Sequence, residues 1–135
     1  MKRVVSISLS TLLLFTMLLC VISIGKSEDN INDCLVKYRS EWSKPCTQCQ
    51  DYSKSYRAYF RNVCKEAIDV KVAAQEADKR WRTFSRLNMQ PNDSIVAYVC
   101  NKGTGTVKHM TWVRKAGDLS IAFPTDEEIN NQYAK

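Results

Sequence analysis

The sequence is poor in the features that most often reveal a function. It has one histidine, His109, and no recognised serine nucleophile motif, so no nucleophile–base pair can be identified. A four-ligand zinc site usually contains two close-spaced ligand pairs, and only Cys46 and Cys49 form such a pair. Zinc-finger, helix-turn-helix and aromatic RNA-binding motifs are also missing. These absences argue against catalytic residues, a metal, a cofactor and a nucleic-acid partner, and they favour a hydrogen-bonded structural role for His109.

The first 25 residues predict the compartment. Two basic residues precede an uncharged run, 4–25, whose apolar centre reads LLLFTMLL, and small residues stand at minus three and minus one before Lys26. This pattern predicts a signal peptide, 1–25, that is cleaved on export to a secreted, periplasmic or other extracytoplasmic location. No second long apolar run follows, so no membrane contact is expected after cleavage. The alternative is an uncleaved anchor, because the run just reaches the length of about 20 residues that spans a bilayer.

The remainder of the chain, 26–135, is expected to be one domain. No linker, repeat or low-complexity tract divides it. Cleavage removes Lys2 and Arg3 and so lowers the formal charge from +6 to a mildly basic +4. It also removes Cys20, and the odd number of remaining cysteines leaves one thiol that is free or bonded to another chain, as in a disulfide-linked dimer. The other cysteines are expected to form structural disulfides in an oxidising compartment.

The positions of the cysteines lead to a predicted pairing. Cys64 and Cys100 each follow a predicted strand and are expected to bond each other. Cys34 is expected to bond Cys46 or Cys49, which leaves one cysteine over. The C-x-x-C spacing of Cys46 and Cys49 is also typical of redox dithiols, but those motifs normally connect a strand to a helix, and here a strand is predicted to follow.

Two periodicities organise the domain. Apolar residues recur at helical spacing over 31–42, which predicts a short N-terminal helix with Cys34 facing inward. Downstream, alternation with a period of two and short Gly, Pro and Asn turns predict strands. Thr125 and Glu128 form a capping box, which predicts a short C-terminal helix. The predicted strands are 55–62, 68–75, 80–84, 94–100, 107–115 and 119–123.

This succession of strands is typical of a mainly β fold. Since no crossover helices separate the strands, we expect a small antiparallel β-sandwich or roll, stapled by disulfides, with a short helix at each end. The alternative is an α+β fold in which 66–78 is helical, because Ala, Glu and Lys favour helices and apolar residues there also recur at helical spacing. Alternation with β-branched residues inside is the more specific pattern, so the strand is preferred.

One side of the predicted sheet is basic. Arg82 and Arg86 project to the same side of their strand as Arg80, and Arg57 and Arg61 extend that side if the two strands are neighbours. Such cations among aromatic rings suit carboxylate, sulfate or phosphate groups. The candidate contact residues are Arg57, Arg61, Arg80, Arg82, Arg86, Tyr98 and Trp112.

These features favour an exported, non-catalytic binding or interaction module. Its expected partner is an acidic glycan or an acidic protein, held on the basic sheet face. One alternative is a secreted enzyme or enzyme inhibitor, although acid pairs such as Glu127 and Glu128 are expected at a helix N-terminus rather than in a glycosidase site. A second alternative is a thiol-redox protein or a cysteine-linked oligomer, which the C-x-x-C spacing would serve.

Overall fold

The computed structural model of the chain describes residues 30–45 and 47–135. The predicted signal peptide, 1–25, and Cys46 lie outside the described residues. Within them, the chain forms six strands arranged as two three-stranded antiparallel sheets that pack face to face. The predicted mainly β, disulfide-stapled sandwich is therefore confirmed.

The strands run alternately up and down the sandwich. The elements of the described residues are β1 (Leu35–Trp42), β2 (Tyr56–Asn62), β3 (Ile68–Gln75), β4 (Trp81–Met89), β5 (Ser94–Val99), β6 (His109–Lys115) and α1 (Asp126–Tyr133). Sheet A has the order β1-β2-β5, and sheet B has the order β4-β3-β6. Every neighbouring pair is antiparallel. As a result, loops 43–55, 76–80 and 100–108 lie at one end of the sandwich, and loops 63–67 and 90–93 lie at the other.

The core fills the space between the two sheets. Tyr56, Ala58 and Phe60 of β2 are buried in the same cluster as Val70 and Val72 of β3. Alternate residues of each strand point into this layer, as expected for a sandwich. Burying one such valine or aromatic side chain contributes about 1.5–3 kcal/mol, so the core is the main source of stability.

The segment 68–75 is the central strand β3 of sheet B, so the helical alternative for 66–78 is wrong. Every residue of β3 is buried. One side faces the core, and the other is covered by α1, where Ile129 packs against Ala73 and Trp81. A strand that is buried on both sides has a weaker alternation of apolar and polar residues. The apolar residues of 66–78 therefore also fit a helical spacing.

The predicted N-terminal helix is reduced to a single turn. Only Ile31–Cys34 are helical, as a 3-10 turn, and Leu35–Trp42 form strand β1 instead. A register shift between Lys37 and Arg39 places a bulge in β1. The extra residue changes the period of the outward positions and so imitates helical spacing. The predicted inward position of Cys34 is confirmed, because its side chain is buried.

The segment 119–123 is irregular rather than the predicted strand. The Arg114 guanidinium donates to the Ile121 carbonyl at 2.6 Å and lies 4.6 Å from the centre of the Phe123 ring. The Arg114 side chain therefore binds a backbone carbonyl that a neighbouring strand would otherwise bind. The helix α1 that follows has the predicted capping box, with Thr125 and Glu128 each accepting a backbone N–H of the other. In the described residues no helix is long and apolar enough to cross a membrane.

Two disulfides join described cysteines, Cys34 to Cys64 and Cys49 to Cys100, so the predicted pairings are wrong. Cys64 follows β2 and Cys100 follows β5, and because these strands are antiparallel neighbours, they end at opposite ends of the sandwich. Cys34 immediately precedes β1, whose first residue pairs with the last residue of β2, and this brings Cys34 beside Cys64. Two disulfides are compatible with an extracellular protein.

Candidate functional site

The outer side of sheet A carries several of the predicted contact residues. Tyr56, Ala58 and Phe60 of β2 point into the core, and the alternate residues Arg57 and Arg61 therefore point outward. The outward residues of β1, β2 and β5 define a surface that we call the arginine–tyrosine face. Its members are Val36, Tyr38, Arg39, Glu41, Arg57, Tyr59, Arg61, Ser94, Val96 and Tyr98.

Arginines lie over tyrosine rings on this face. The Arg61 guanidinium is 4.2 Å from the centre of the Tyr38 ring. The Arg39 guanidinium is 4.6 Å from the centre of the Tyr59 ring. Stacking of this kind occupies the flat side of a guanidinium and limits the rotamers of the long side chain. A stacked arginine thus loses less conformational entropy when it binds an anion.

The positive charge is balanced at Arg39 but not at Arg61. Arg39 forms an ion pair with Glu41, and the Tyr59 hydroxyl donates to the same carboxylate at 2.6 Å. The Tyr59 hydroxyl first, and then Arg39, lower the pKa of Glu41. For Arg61, no carboxylate stands within ion-pairing distance in the part of the chain that the structure describes. Arg61 therefore presents an unneutralised charge on a stacked, exposed side chain.

Strand β4 adds two arginines at the edge of this face, because β4 and β5 run side by side where the two sheets meet. The Arg82 guanidinium is 5.5 Å from the centre of the Tyr98 ring. Arg86 donates to the Ser94 carbonyl at 2.6 Å and forms an ion pair with Asp93 at 2.7 Å. The structure thus places four of the five predicted arginines around β5, since the two on β2 pair with β5 directly.

Two predicted contact residues are not on the arginine–tyrosine face. Arg80 lies in the turn before β4 and forms an ion pair with Asp78 at 2.6 Å. Trp112 lies on the outer side of sheet B, beside Ile129 of α1. The outer sides of the two sheets of a sandwich point in opposite directions. The predicted set is therefore divided between opposite surfaces.

Tyr38, Arg39 and Glu41 are site residues that the sequence prediction does not include. A helix over 31–42 would distribute them around its circumference, whereas a bulged strand brings them to one side. The composition of β1, which resembles that of β2, is the sequence feature that would have identified them. Arginine and tyrosine also alternate around Tyr59, and two neighbouring strands with this composition form one face.

His109 is partly buried against the core and does not lie on the arginine–tyrosine face. Its ring lies 5.5 Å from the ring of Tyr56 and 5.7 Å from the ring of Phe60. Its buried Nε2 has no hydrogen-bond partner in the described residues, so the prediction of a hydrogen-bonded histidine is not met at that atom. Burial first, and then the nearby Lys37 ammonium, lower the pKa of His109 to about 4.

The low pKa of His109 predicts a loss of stability in mild acid. The folded-state pKa is about 4, below the value of about 6.5 expected for an unfolded chain. Between these values the unfolded chain binds the proton more readily, so the free energy of unfolding falls as the pH decreases from 6.5 to 4. Because the ring is only partly buried, we expect a loss of about 1–2 kcal/mol.

Urea denaturation at pH 7 and at pH 5 measures this loss. The variant His109→Phe keeps a ring of similar size and is expected to show a smaller difference between the two pH values. An unchanged difference in the variant would show that other groups cause the acid sensitivity.

No protein-family model, curated protein or solved structure matches the chain. Residues 30–45 and 47–135 contain no group of three or more His, Cys, Asp or Glu side chains that could hold a metal ion. Cys49 is bonded to Cys100, so its partner lies outside the C-x-x-C motif. The arginine–tyrosine face is the candidate functional site.

Proposed function

We propose that the chain is an exported, non-catalytic binding module that holds an acidic glycan on the arginine–tyrosine face. The observation that carries the proposal is Arg61, which is exposed, stacked on Tyr38 and free of any carboxylate partner in the described residues. A guanidinium presents N–H groups in a planar fork that matches sulfate and carboxylate oxygens. Two disulfides are compatible with a partner outside the cell.

The spacing of the cations suits an extended polyanion. Arg57 and Arg61 are four residues apart on β2, which corresponds to about 13 Å along the strand. Neighbouring strands are about 4.8 Å apart, so Arg39 on β1 and Arg82 beside β5 widen the row of cations. A glycan with repeated sulfate or carboxylate groups meets several of these side chains at once.

A glycan fits this face better than an acidic protein does. Protein interfaces have a buried apolar centre, usually an aromatic side chain inserted into a pocket. Here the rings of Tyr38 and Tyr59 are covered by arginines, so the face offers stacked cations and the short side chains of two exposed valines rather than an exposed aromatic anchor. The Tyr38 and Tyr59 hydroxyl groups donate to Ser94 and Glu41, and their oxygens can still accept hydrogen bonds from sugar hydroxyl groups.

The proposal predicts which substitutions weaken glycan binding. Arg61→Gln removes the unneutralised charge and keeps a polar, although shorter, side chain. We expect it to weaken binding to a sulfated heparin oligosaccharide about tenfold, or about 1.4 kcal/mol, as measured by titration calorimetry. Arg57→Gln/Arg61→Gln is expected to weaken it further, and raising the salt concentration is expected to reduce the difference.

Lys65→Gln is the matched control, because it removes one positive charge from an exposed loop at the end of the sandwich opposite loops 43–55, 76–80 and 100–108. It is expected to change affinity less than twofold. An equal effect of Lys65→Gln and Arg61→Gln would show that only the net charge matters. Failure of the unaltered protein to bind sulfated or uronate-containing oligosaccharides, together with binding to an acidic peptide, would favour a protein partner instead.

A further inference from the structure

The two ends of the sandwich differ in charge. Loops 43–55, 76–80 and 100–108, which we call the basic loop end, contain six basic and three acidic residues. Loops 63–67 and 90–93 at the opposite end contain one basic and two acidic residues. The long strands separate these groups, so the sequence order alone does not show the difference. Most of the positive charge outside the strands therefore lies at a single end.

The basic loop end is held in one arrangement by several contacts. The Cys49–Cys100 disulfide joins two of its loops, and the Lys102 N–H donates to the Lys54 carbonyl at 3.0 Å. The buried Glu76 carboxylate joins the third loop, because it accepts the Cys100 N–H at 3.1 Å and the Asn101 N–H at 2.8 Å. Such tethers keep loop side chains in fixed relative positions, which favours ligand binding.

A polar depression of about 440 Å³ lies between the tethered loops. Its size is in the range of small-molecule sites, about 300–1,000 Å³. Amide side chains from Gln50 and Asn101, the Asp51 carboxylate and the cations Lys54 and Arg82 line it, with the disulfide between them. Amides and carboxylates exchange hydrogen bonds with sugar hydroxyl groups, and Lys54 supplies a charge for a sulfate or a uronate.

Arg82 connects this depression to the arginine–tyrosine face. Its side chain lines the depression, forms an ion pair with Glu76 and lies over the ring of Tyr98. Tyr98 pairs directly with Arg57 in sheet A. A glycan bound along β2 and β5 therefore reaches the depression without leaving the surface of the protein.

We infer that this depression, the loop subsite, holds one acidic sugar residue of the bound glycan. The inference rests on the proposed function, because the glycan is the same one that the arginine–tyrosine face binds. Lys54 contacts the sulfate or carboxylate of that sugar, and the amides of Gln50 and Asn101 contact its hydroxyl groups. The remaining sugars continue across Arg82 onto the face.

The test uses two heparin fragments, a sulfated uronate-containing disaccharide and a longer octasaccharide, with the full domain. Lys54→Gln and Gln50→Ala are each expected to weaken disaccharide binding at least fivefold, as measured by calorimetry. Lys44→Gln is the matched control, since Lys44 belongs to the same loop as Lys54 but does not line the depression. It is expected to change the affinity less than twofold. The disaccharide is also expected to shift the NMR amide signals of Gln50 and Asn101.

The outcomes separate the subsite from the proposed function. If Arg61→Gln weakens octasaccharide binding but Lys54→Gln and Gln50→Ala act no more strongly than Lys44→Gln, the loop subsite is wrong and the arginine–tyrosine face remains. If Lys54→Gln weakens binding and Arg61→Gln does not, the subsite holds without the face. Absence of binding to both fragments by the unaltered protein overturns both proposals.

Discussion

Replacing Asp69 with alanine is expected to lower the free energy of unfolding by about 3–5 kcal/mol, a large part of the total of about 5–15 kcal/mol. The buried carboxylate accepts the Asn88 N–H at 2.8 Å, the Arg114 Nε–H at 3.1 Å and the Gly117 N–H at 3.2 Å. Burial alone would raise the pKa of Asp69, but these three donors outweigh it and hold that pKa below its usual value. Alanine would leave the buried Arg114 cation and two backbone donors without this acceptor.

The position of Asp69 explains why a charge is retained there. The register of β3 against β4 shifts between Ile68 and Val70, and Asn88 on the opposite strand has a left-handed φ of 51°. At such an irregularity a backbone N–H does not meet a ladder carbonyl, and the carboxylate accepts it instead. Asp69 thus joins β4, β6 and the turn after β6.

Urea denaturation measures the effect of Asp69→Ala, with Asp118→Ala as the control. Asp118 is a partly exposed acid whose side-chain hydrogen bonds are local, to Ser120, and its replacement is expected to cost less than about 0.5 kcal/mol. Asp69→Leu/Arg114→Met is expected to recover at least half of the loss, because no unpaired charge stays buried. A cost below about 1 kcal/mol for Asp69→Ala would contradict this account.

The three hydrogen bonds that Asp69 accepts also predict that its contribution to stability depends on pH. A lowered folded-state pKa means that the contribution is fully present above the unfolded value of about 3.9 and is lost as the pH falls below it. The pH range in which Asp69 loses its contribution, below about 3.9, lies below the range of 6.5 to 4 in which His109 acts. Asp69→Ala is therefore expected to flatten the stability profile below pH 4 and to leave the change between pH 7 and pH 5 in place.

Removing the Cys49–Cys100 disulfide with two serines is expected to lower the free energy of unfolding by about 4 kcal/mol. Removing Cys34–Cys64 is expected to cost slightly less, because the first bridge spans 51 residues and the second spans 30. The strand ladders do not depend on either bridge, so both variants are expected to keep the sandwich.

The two disulfide variants also differ in their expected binding. Cys49→Ser/Cys100→Ser releases the loops of the basic loop end and is expected to abolish disaccharide binding at the loop subsite. Cys34→Ser/Cys64→Ser acts at the opposite end and serves as the matched control, with affinity expected to stay within twofold. Peptide mapping without reduction checks the pairing itself, and a peptide that links Cys64 to Cys100 would contradict the structure.

Much of the fold could be predicted because local patterns and tertiary structure agree there. The alternation in β2 identified both the core residues around Ala58 and the outward Arg57 and Arg61. The capping box at Thr125 located the start of α1, since its hydrogen bonds are confined to one helical turn. Part of the candidate face followed from the same reasoning, because a strand has only two sides.

The predictions for 31–42 and 119–123 were wrong because pairing with other parts of the chain, rather than local periodicity, sets the structure there. The bulge in β1 changes the spacing of its outward residues, so Tyr38 and Arg39 were absent from the predicted face. The segment 119–123 has the composition of a strand, but Arg114 binds its backbone instead of a neighbouring strand. Neither the bulge nor the Arg114 hydrogen bond can be predicted from the residues next to it in the sequence.

Sequence patterns alone predict a mainly β domain, the polar side of β2 and the start of α1. These properties depend on neighbours within one strand or one turn, where composition and periodicity act directly. The disulfide partners, the separation of Trp112 from the arginines, and the meeting of three loops at one end are visible only in the folded structure. Those properties depend on strand order and direction. The two ends of each strand lie at opposite ends of the sandwich, whereas loops that are far apart in the sequence meet at the same end.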